Sequence, residues 1–285
     1  MKLNKDVVSP QEIVIEFIEA KKTPRKENLQ KLKDSGKLDI LDQYDNFAEN
    51  HNLYNIPVSF PNGNDDLLHC YESSTKPLEK ILKRIVENQE GYHKTTCPYC
   101  NIFQIETVDH YLPKSVFPEF SFLPNNLVWC CSKCNTTKND FYIENGKPIF
   151  LNPYYENLNE YEFLECDITI DNSQPSFSYY LNKKNIRNHQ TGAAIEKQYS
   201  KLKVIKRYIE KTPEVITNLI GSLRSITSCW SITKTEAENW IKQEYERKKR
   251  DYGVNYYETA IYKGILKKQD VENYIFNLAG VAGGA

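Results

Sequence analysis

Two Cys-x-x-Cys pairs, Cys97 with Cys100 and Cys131 with Cys134, stand thirty residues apart and constrain this chain more than any other feature. Two such knuckles place four thiolates tetrahedrally around one zinc ion, at about 2.3 Å from each sulfur. A single pair leaves a thioredoxin-like redox site open. No βαβ pattern surrounds these pairs, however, and the second pair favours a closed structural site. Five of the eight cysteines fall between residues 97 and 134. Cys130 competes with Cys131 for the second knuckle, but only Cys131 with Cys134 keeps the two-residue gap. Cys70, Cys166 and Cys229 are scattered and read as small buried hydrophobes.

The residues between the knuckles point to chemistry. Ile105-Glu106-Thr107-Val108 reads as a strand that delivers the adjacent Asp109 and His110 to a loop. Asn125-Asn126-Leu127-Val128-Trp129 leads into the second knuckle, and Asn135-Thr136-Thr137-Lys138 follows it in helical register. Metal-assisted hydrolysis in general needs a base for water, a metal for the charge growing on the oxygens, and a group that holds the imidazole in one tautomer. His110 is the candidate base. Asp109, on the other side of an extended backbone, is a candidate oxygen ligand for Mg²⁺ or Mn²⁺. A lone histidine is more often structural, so His51, His69, His93 and His189 are given no role.

The segments DHYLPKS and NNLVWCCSKCNTTK, with CPYC upstream, resemble the zinc-containing branch of the HNH endonucleases (His-Me finger, ββα-metal fold) over Cys97 to Asp140. The resemblance implies His110 as base and Asn126 as the residue that orients it, with Asn125 beside it leaving that assignment open by one position. It implies Asn135 beside Asp109 on the catalytic Mg²⁺ or Mn²⁺, and Lys114 and Lys138 as phosphate contacts. Asn139-Asp140 stands where relatives often carry glycine. A weaker resemblance, through Pro148-Ile149-Phe150-Leu151-Asn152-Pro153-Tyr154, is to the PtuB-type nucleases of Septu and retron antiphage systems. It implies an effector nuclease that cuts DNA beside an ATPase subunit. The rival readings are a zinc-stabilised nucleic-acid or protein binding module without catalysis, a redox sensor, and a stand-alone restriction or homing nuclease.

The expected fold is α+β: a mainly helical chain with an embedded zinc-stapled ββα-metal finger. Residues 1–94 form an N-terminal helical region, 95–145 the finger, and 146–285 a short β segment followed by a C-terminal helical region. A helix is expected from Ser9 as cap with Pro10 and Glu12 behind it, and another over Thr75 to Gln89, where Leu78, Ile81, Leu82 and Ile85 share a stripe. Residues 57–66 read as a loop. Residues 148–156, ECDITID and PSFSYYL read as extended or hairpin, and from Gly192 a stripe through Ile195, Tyr199, Leu202, Ile205 and Ile209 reads as helix. Further helices are expected over Pro213 to Ile226 and Thr235 to Tyr252, and the tail AGVAGGA is expected to fray. Net charge is −1, so no global basic bias marks a nucleic-acid binder. Lys201 to Arg250 nevertheless holds twelve Lys or Arg against six Glu, a face for a phosphate backbone or an ordinary solvated helix surface. The PtuB-type resemblance further implies that residues 1–94 and 190–280 serve partner docking and DNA grip. No apolar run approaches a membrane span and the first twenty residues lack a signal-peptide pattern, so a cytoplasmic protein is expected.

Overall fold

The computed structural model describes residues 2–186 and 189–281, which form two compact units, Lys2–Asn157 and Leu158 onward. The first unit carries α1 (Pro10–Ala20), α2 (Arg25–Asp34), α3 (Tyr44–Glu49), α4 (Asp65–Glu72) and α5 (Lys76–Glu87). The antiparallel pair β1 (Thr107–His110) and β2 (Leu127–Cys130) follows, then α6 (Ser132–Lys138) and the small hairpin β3 (Ile143–Glu144) and β4 (Lys147–Pro148). The strand, strand, helix order is that of a ββα finger. The N-terminal helices and the finger share this unit, and its boundary falls at residues 157 and 158.

Both expected N-terminal helices form. Proline fits the first turn of α1, where its missing N–H leaves no bond unmade, although the Ser9 side chain makes no capping bond. In α5, Leu78, Ile81 and Ile85 are buried while Leu82 is only half-buried. The expected loop over residues 57–66 ends in a cap: Asn64 Oδ1 accepts from the Asp66 and Leu67 N–H groups at 3.1 and 3.0 Å and starts α4.

The connection between β1 and β2 is not a solvent loop. Phe117, Phe120 and Phe122 are each at most 2% exposed. Phe122 meets Phe17 of α1 at 4.9 Å between ring centroids, and Phe120 meets Tyr44 of α3 at 5.1 Å. Burying such rings contributes roughly 1.5–3 kcal/mol each, so this connection is fixed as firmly as the helices under it. Trp129 Nε1 of β2 donates to the Leu82 carbonyl of α5 at 3.1 Å, tying the finger to the same helices. Of the stretch 148–156, only Pro148 is in a strand. The rest is an irregular but buried segment, with Ile149, Phe150, Leu151 and Tyr154 in the core.

The second unit opens with the expected hairpin, β5 (Leu164–Asp171) paired antiparallel with β6 (Gln174–Leu181). Asn172 and Ser173 both take positive φ at its turn, the conformation that matches the twist of a two-residue hairpin. Among the described residues five α-helices follow: α7 (His189–Lys201), α8 (Val204–Cys229), α9 (Lys234–Tyr252), α10 (Tyr257–Leu266) and α11 (Gln269–Ala279). The stripe expected through Ile205 and Ile209 is corrected here. Lys203 adopts φ +52° and resets the helical phase, so Val204, Arg207 and Tyr208 face the core while Ile209 is exposed. Pro213 lies inside α8, which runs on through it, and α9 starts on a reciprocal Thr233 and Glu236 capping box. Cys70 and Cys166 are buried as expected, whereas Cys229 is exposed. The end of the expected frayed tail, residues 282–285, lies outside the described residues. No helix among the described residues is long and apolar enough to cross a membrane.

Candidate active site

The four knuckle cysteines converge. The sulfurs of Cys97, Cys100, Cys131 and Cys134 lie within 4.8 Å of one another and all four residues are buried. Tetrahedral zinc at about 2.3 Å from each sulfur needs sulfurs about 3.8 Å apart, and Cys100 and Cys131 stand at 3.9 Å. The cluster therefore fits one zinc ion. Asn101 takes φ +54° just after the first knuckle and folds the backbone so that its N–H bonds the Cys97 carbonyl at 2.9 Å. Cys131 is the N-cap of α6 and its sulfur accepts from the Cys134 N–H at 3.4 Å. Bonds shared with Cys100, Cys134 and Cys97, and this N–H, pull the Cys131 thiol down, while the shared bonds push Cys134 up and burial pushes Cys97 up. Cys130 belongs to β2 and is not one of the four; burial pushes its thiol up.

Strand β1 ends at His110, facing Leu127 of β2, and its last two residues line a cleft of about 530 Å³. Asp109, His110, Lys114 and Asn135 all line it, together with Tyr71 of α4 and Asp140. His110 Nε2 meets the Ser121 carbonyl at 2.9 Å. A carbonyl only accepts, so Nε2 carries the proton and Nδ1 keeps its lone pair. Burial pulls the imidazole down to about 4, opposed by the Ser121 bond, so the ring is neutral near pH 7.

Asp109 is 4% exposed and held from two sides. Tyr99, from inside the first knuckle, donates to its Oδ2 at 2.7 Å, and Lys138 of α6 bonds its Oδ1 at 3.1 Å and the His110 carbonyl at 2.7 Å. Burial raises the Asp109 carboxyl, while Lys138 and Tyr99 hold it back. The expectation that Lys138 touches phosphate is thereby corrected: its side chain is fully buried and its ammonium is committed to Asp109 and the backbone. The physical reason is helical spacing, because Lys138 lies four residues after the buried Cys134 and shares its inward face.

Asn135, which lines the cleft, donates from Nδ2 to Thr107 Oγ1 at 3.0 Å and to the Val108 carbonyl at 3.2 Å. Asp109 and Asn135 are hard oxygen donors, the kind Mg²⁺ and Mn²⁺ take. A magnesium ion commonly keeps several waters and needs only one or two such protein ligands. Both Asp109 oxygens are engaged by Tyr99 and Lys138, so a divalent ion bound there would have to share or displace those contacts. Lys114 stays on the cleft wall, paired with Glu72 at 2.7 Å.

Asn126 does not touch the imidazole. Its Oδ1 accepts from the Leu112 N–H at 2.8 Å and Tyr44 at 3.0 Å, and its Nδ2 donates to the carbonyls of Leu112 and Phe120. It closes the loop that carries Ser121, whose carbonyl receives His110 Nε2. Asn125 instead clasps the N-terminal segment, accepting from the Asp6 N–H at 2.9 Å. Asn139 takes φ +46° with ψ −137°, outside the left-handed helical region and a backbone geometry that glycine adopts far more readily than a residue with a Cβ. The basic run of α9 is an ion-paired surface: Arg247 pairs with Glu244 at 2.7 Å, Lys248 with Glu258 at 2.5 Å and Arg250 with Asp251 at 2.9 Å.

Residues 97–141 match the family model described as HNH endonuclease. This segment is an HNH domain. Its four-cysteine cluster is consistent with the zinc-binding branch. The chain is also similar to Protein ea31 of Escherichia phage lambda, with 35% identity over 66 residues, 23% of this chain and 22% of that protein. The chain thus covers about a fifth of the length of this curated relative. No solved structure matches. Inside the HNH domain, sequence reasoning missed Tyr99 and Ser121, and outside it Tyr71. Tyr99 had a signal, since it sits between two metal-ligand cysteines. Ser121 acts through a main-chain carbonyl, which no side-chain pattern marks.

Proposed function

We propose that this protein is a divalent-metal-dependent HNH endonuclease that hydrolyses phosphodiester bonds of DNA. The observation that carries the reading is the His110 ring, protonated on Nε2 by its bond to the Ser121 carbonyl so that Nδ1 keeps its lone pair, on a residue that lines a cleft with Asp109 and Asn135. Nδ1 takes the proton of the attacking water while Ser121 steadies the imidazolium that forms. Asp109 and Asn135 would hold Mg²⁺ or Mn²⁺, which supplies stabilisation of charge on the phosphoryl and leaving oxygens. Lys114 stands on the cleft wall, placed to meet a phosphate. Zinc in the four-cysteine cluster is structural, because all four ligands are protein sulfurs and none is left for water.

Incubation of purified protein with plasmid and Mg²⁺ or Mn²⁺ tests this. Nicking or linearisation is expected, falling about 10²- to 10⁴-fold in His110→Ala. Equal cleavage by both proteins sinks the assignment. DNA binding without cleavage under any metal favours the zinc-stabilised binding module. The stretch Pro148 to Tyr154 supports a further extension of this reading, an antiphage effector working in the cytoplasm beside an ATPase subunit. Co-purification with the product of an adjacent ATPase gene, and cleavage that depends on it, tests that extension.

A further inference from the structure

The general base is held from outside the HNH domain. Ser121 Oγ donates to the Leu67 carbonyl of α4 at 3.1 Å, while the Ser121 carbonyl receives His110 Nε2. One helical turn after Leu67, Tyr71 meets the His110 ring edge to face, with centroids 4.3 Å apart and planes at 74°. Tyr71 also lines the cleft, and Lys114 Nζ sits over its ring at 5.3 Å. Residues four apart share a helix face, so one face of α4 fixes both the acceptor of the imidazole proton and the plane of the imidazole. The start of that face is itself fixed, because Asn64 caps α4 through the Asp66 and Leu67 N–H groups.

We infer that Tyr71 is a positioning residue of the nuclease, its aromatic ring setting the imidazole plane of His110 so that Nδ1 faces the reacting water. This rests on the nuclease reading above. A hydrogen bond to one ring nitrogen leaves the ring free to rock about that bond, and an edge-to-face neighbour removes this freedom. The ring does this and not the hydroxyl, so phenylalanine serves in its place and leucine, which fills space without a ring, does not. Misplacement of a reacting group by about 1 Å costs on the order of 10²-fold in rate.

The test compares wild type, Tyr71→Phe and Tyr71→Leu in two ways. With plasmid and Mn²⁺, Tyr71→Leu is expected to lower kcat about 10- to 100-fold with KM within about twofold, and Tyr71→Phe to stay within about threefold of wild type. Nitrogen NMR of ¹⁵N-histidine protein reads the ring directly, with the His110 signals assigned by their loss in His110→Ala. Wild type and Tyr71→Phe should show one Nε2–H tautomer with sharp signals, and Tyr71→Leu broadened, averaged ones. Unchanged kcat and unchanged His110 signals in Tyr71→Leu overturn the inference, as does Tyr71→Phe behaving like Tyr71→Leu. If the wild type does not cleave, the nuclease reading fails, while the ring signals still decide what Tyr71 does to His110.

Discussion

Asp109 and Lys138 show how a charge pair becomes structural. Lys138 has no exposed surface and Asp109 almost none, so each ion depends on the other and on Tyr99 and the His110 carbonyl. Removing one partner of a buried pair strands the other charge and costs about 3–5 kcal/mol. Lys138→Met should therefore destabilise the first unit by about that amount, and adding Asp109→Asn should recover part of it. Chemical unfolding of the single and double variants checks both. His110 sets a second expectation at this scale. Its folded pKa of about 4 lies below the ordinary 6.5, so as pH falls the unfolded chain takes the proton first. Its contribution is full above pH 6.5 and is lost as pH falls from 6.5 to 4, by about 3 kcal/mol. Across that range wild type should lose stability more steeply than His110→Gln. Parallel curves would contradict it. If His110 is the base of the proposed nuclease, the same shift places the acid limb of the cleavage rate below the ordinary imidazole range.

At the scale of elements, the two metal knuckles do more than close a loop. The first brings Tyr99 and the second starts the helix that brings Lys138, and both end on Asp109. The loop between the strands is governed by Asn126, whose four bonds reach Leu112, Tyr44 and Phe120. Asn126→Ala leaves buried backbone groups without partners, at a cost of about 2–4 kcal/mol. It should also speed hydrogen exchange of the Leu112 amide and lower cleavage, since the loop carries Ser121. An unchanged Leu112 exchange rate would show the loop is held by its phenylalanines alone. The order strand, strand, helix and the cysteine staple were legible in the sequence because their signals are local: spacing, β-branching and helical register. The contacts on His110 were not, because Ser121 meets it through a main-chain carbonyl and Tyr71 from a helix far away in sequence. Lys138 was misread although the signal existed in its four-residue spacing from Cys134. In α8 one residue, Lys203 at positive φ, shifted the phase that a continuous stripe would have kept.

At the scale of the molecule, the two units draw on different sources of stability. The first gathers the finger and the N-terminal helices on one core, and its cysteine cluster fits zinc. The second has no such cluster among its described residues and rests on apolar burial by Leu164, Ile168, Leu219, Leu223, Ile261 and Ile265. Structural zinc contributes roughly 10–16 kcal/mol apparent in small fingers, as much as or more than the roughly 5–15 kcal/mol that a whole domain usually has in reserve. Stripping zinc with a strong chelator should therefore abolish the thermal transition of the first unit. The helices of the second should keep their circular-dichroism signal and melt in a transition of their own. A fragment beginning at Leu158 should reproduce that remaining transition without metal. Cys97→Ser should mimic the chelator, because three sulfurs leave the cluster open. If chelation leaves both transitions intact, the cluster is not what holds the finger, and if it abolishes both, the second unit does not stand on its own core.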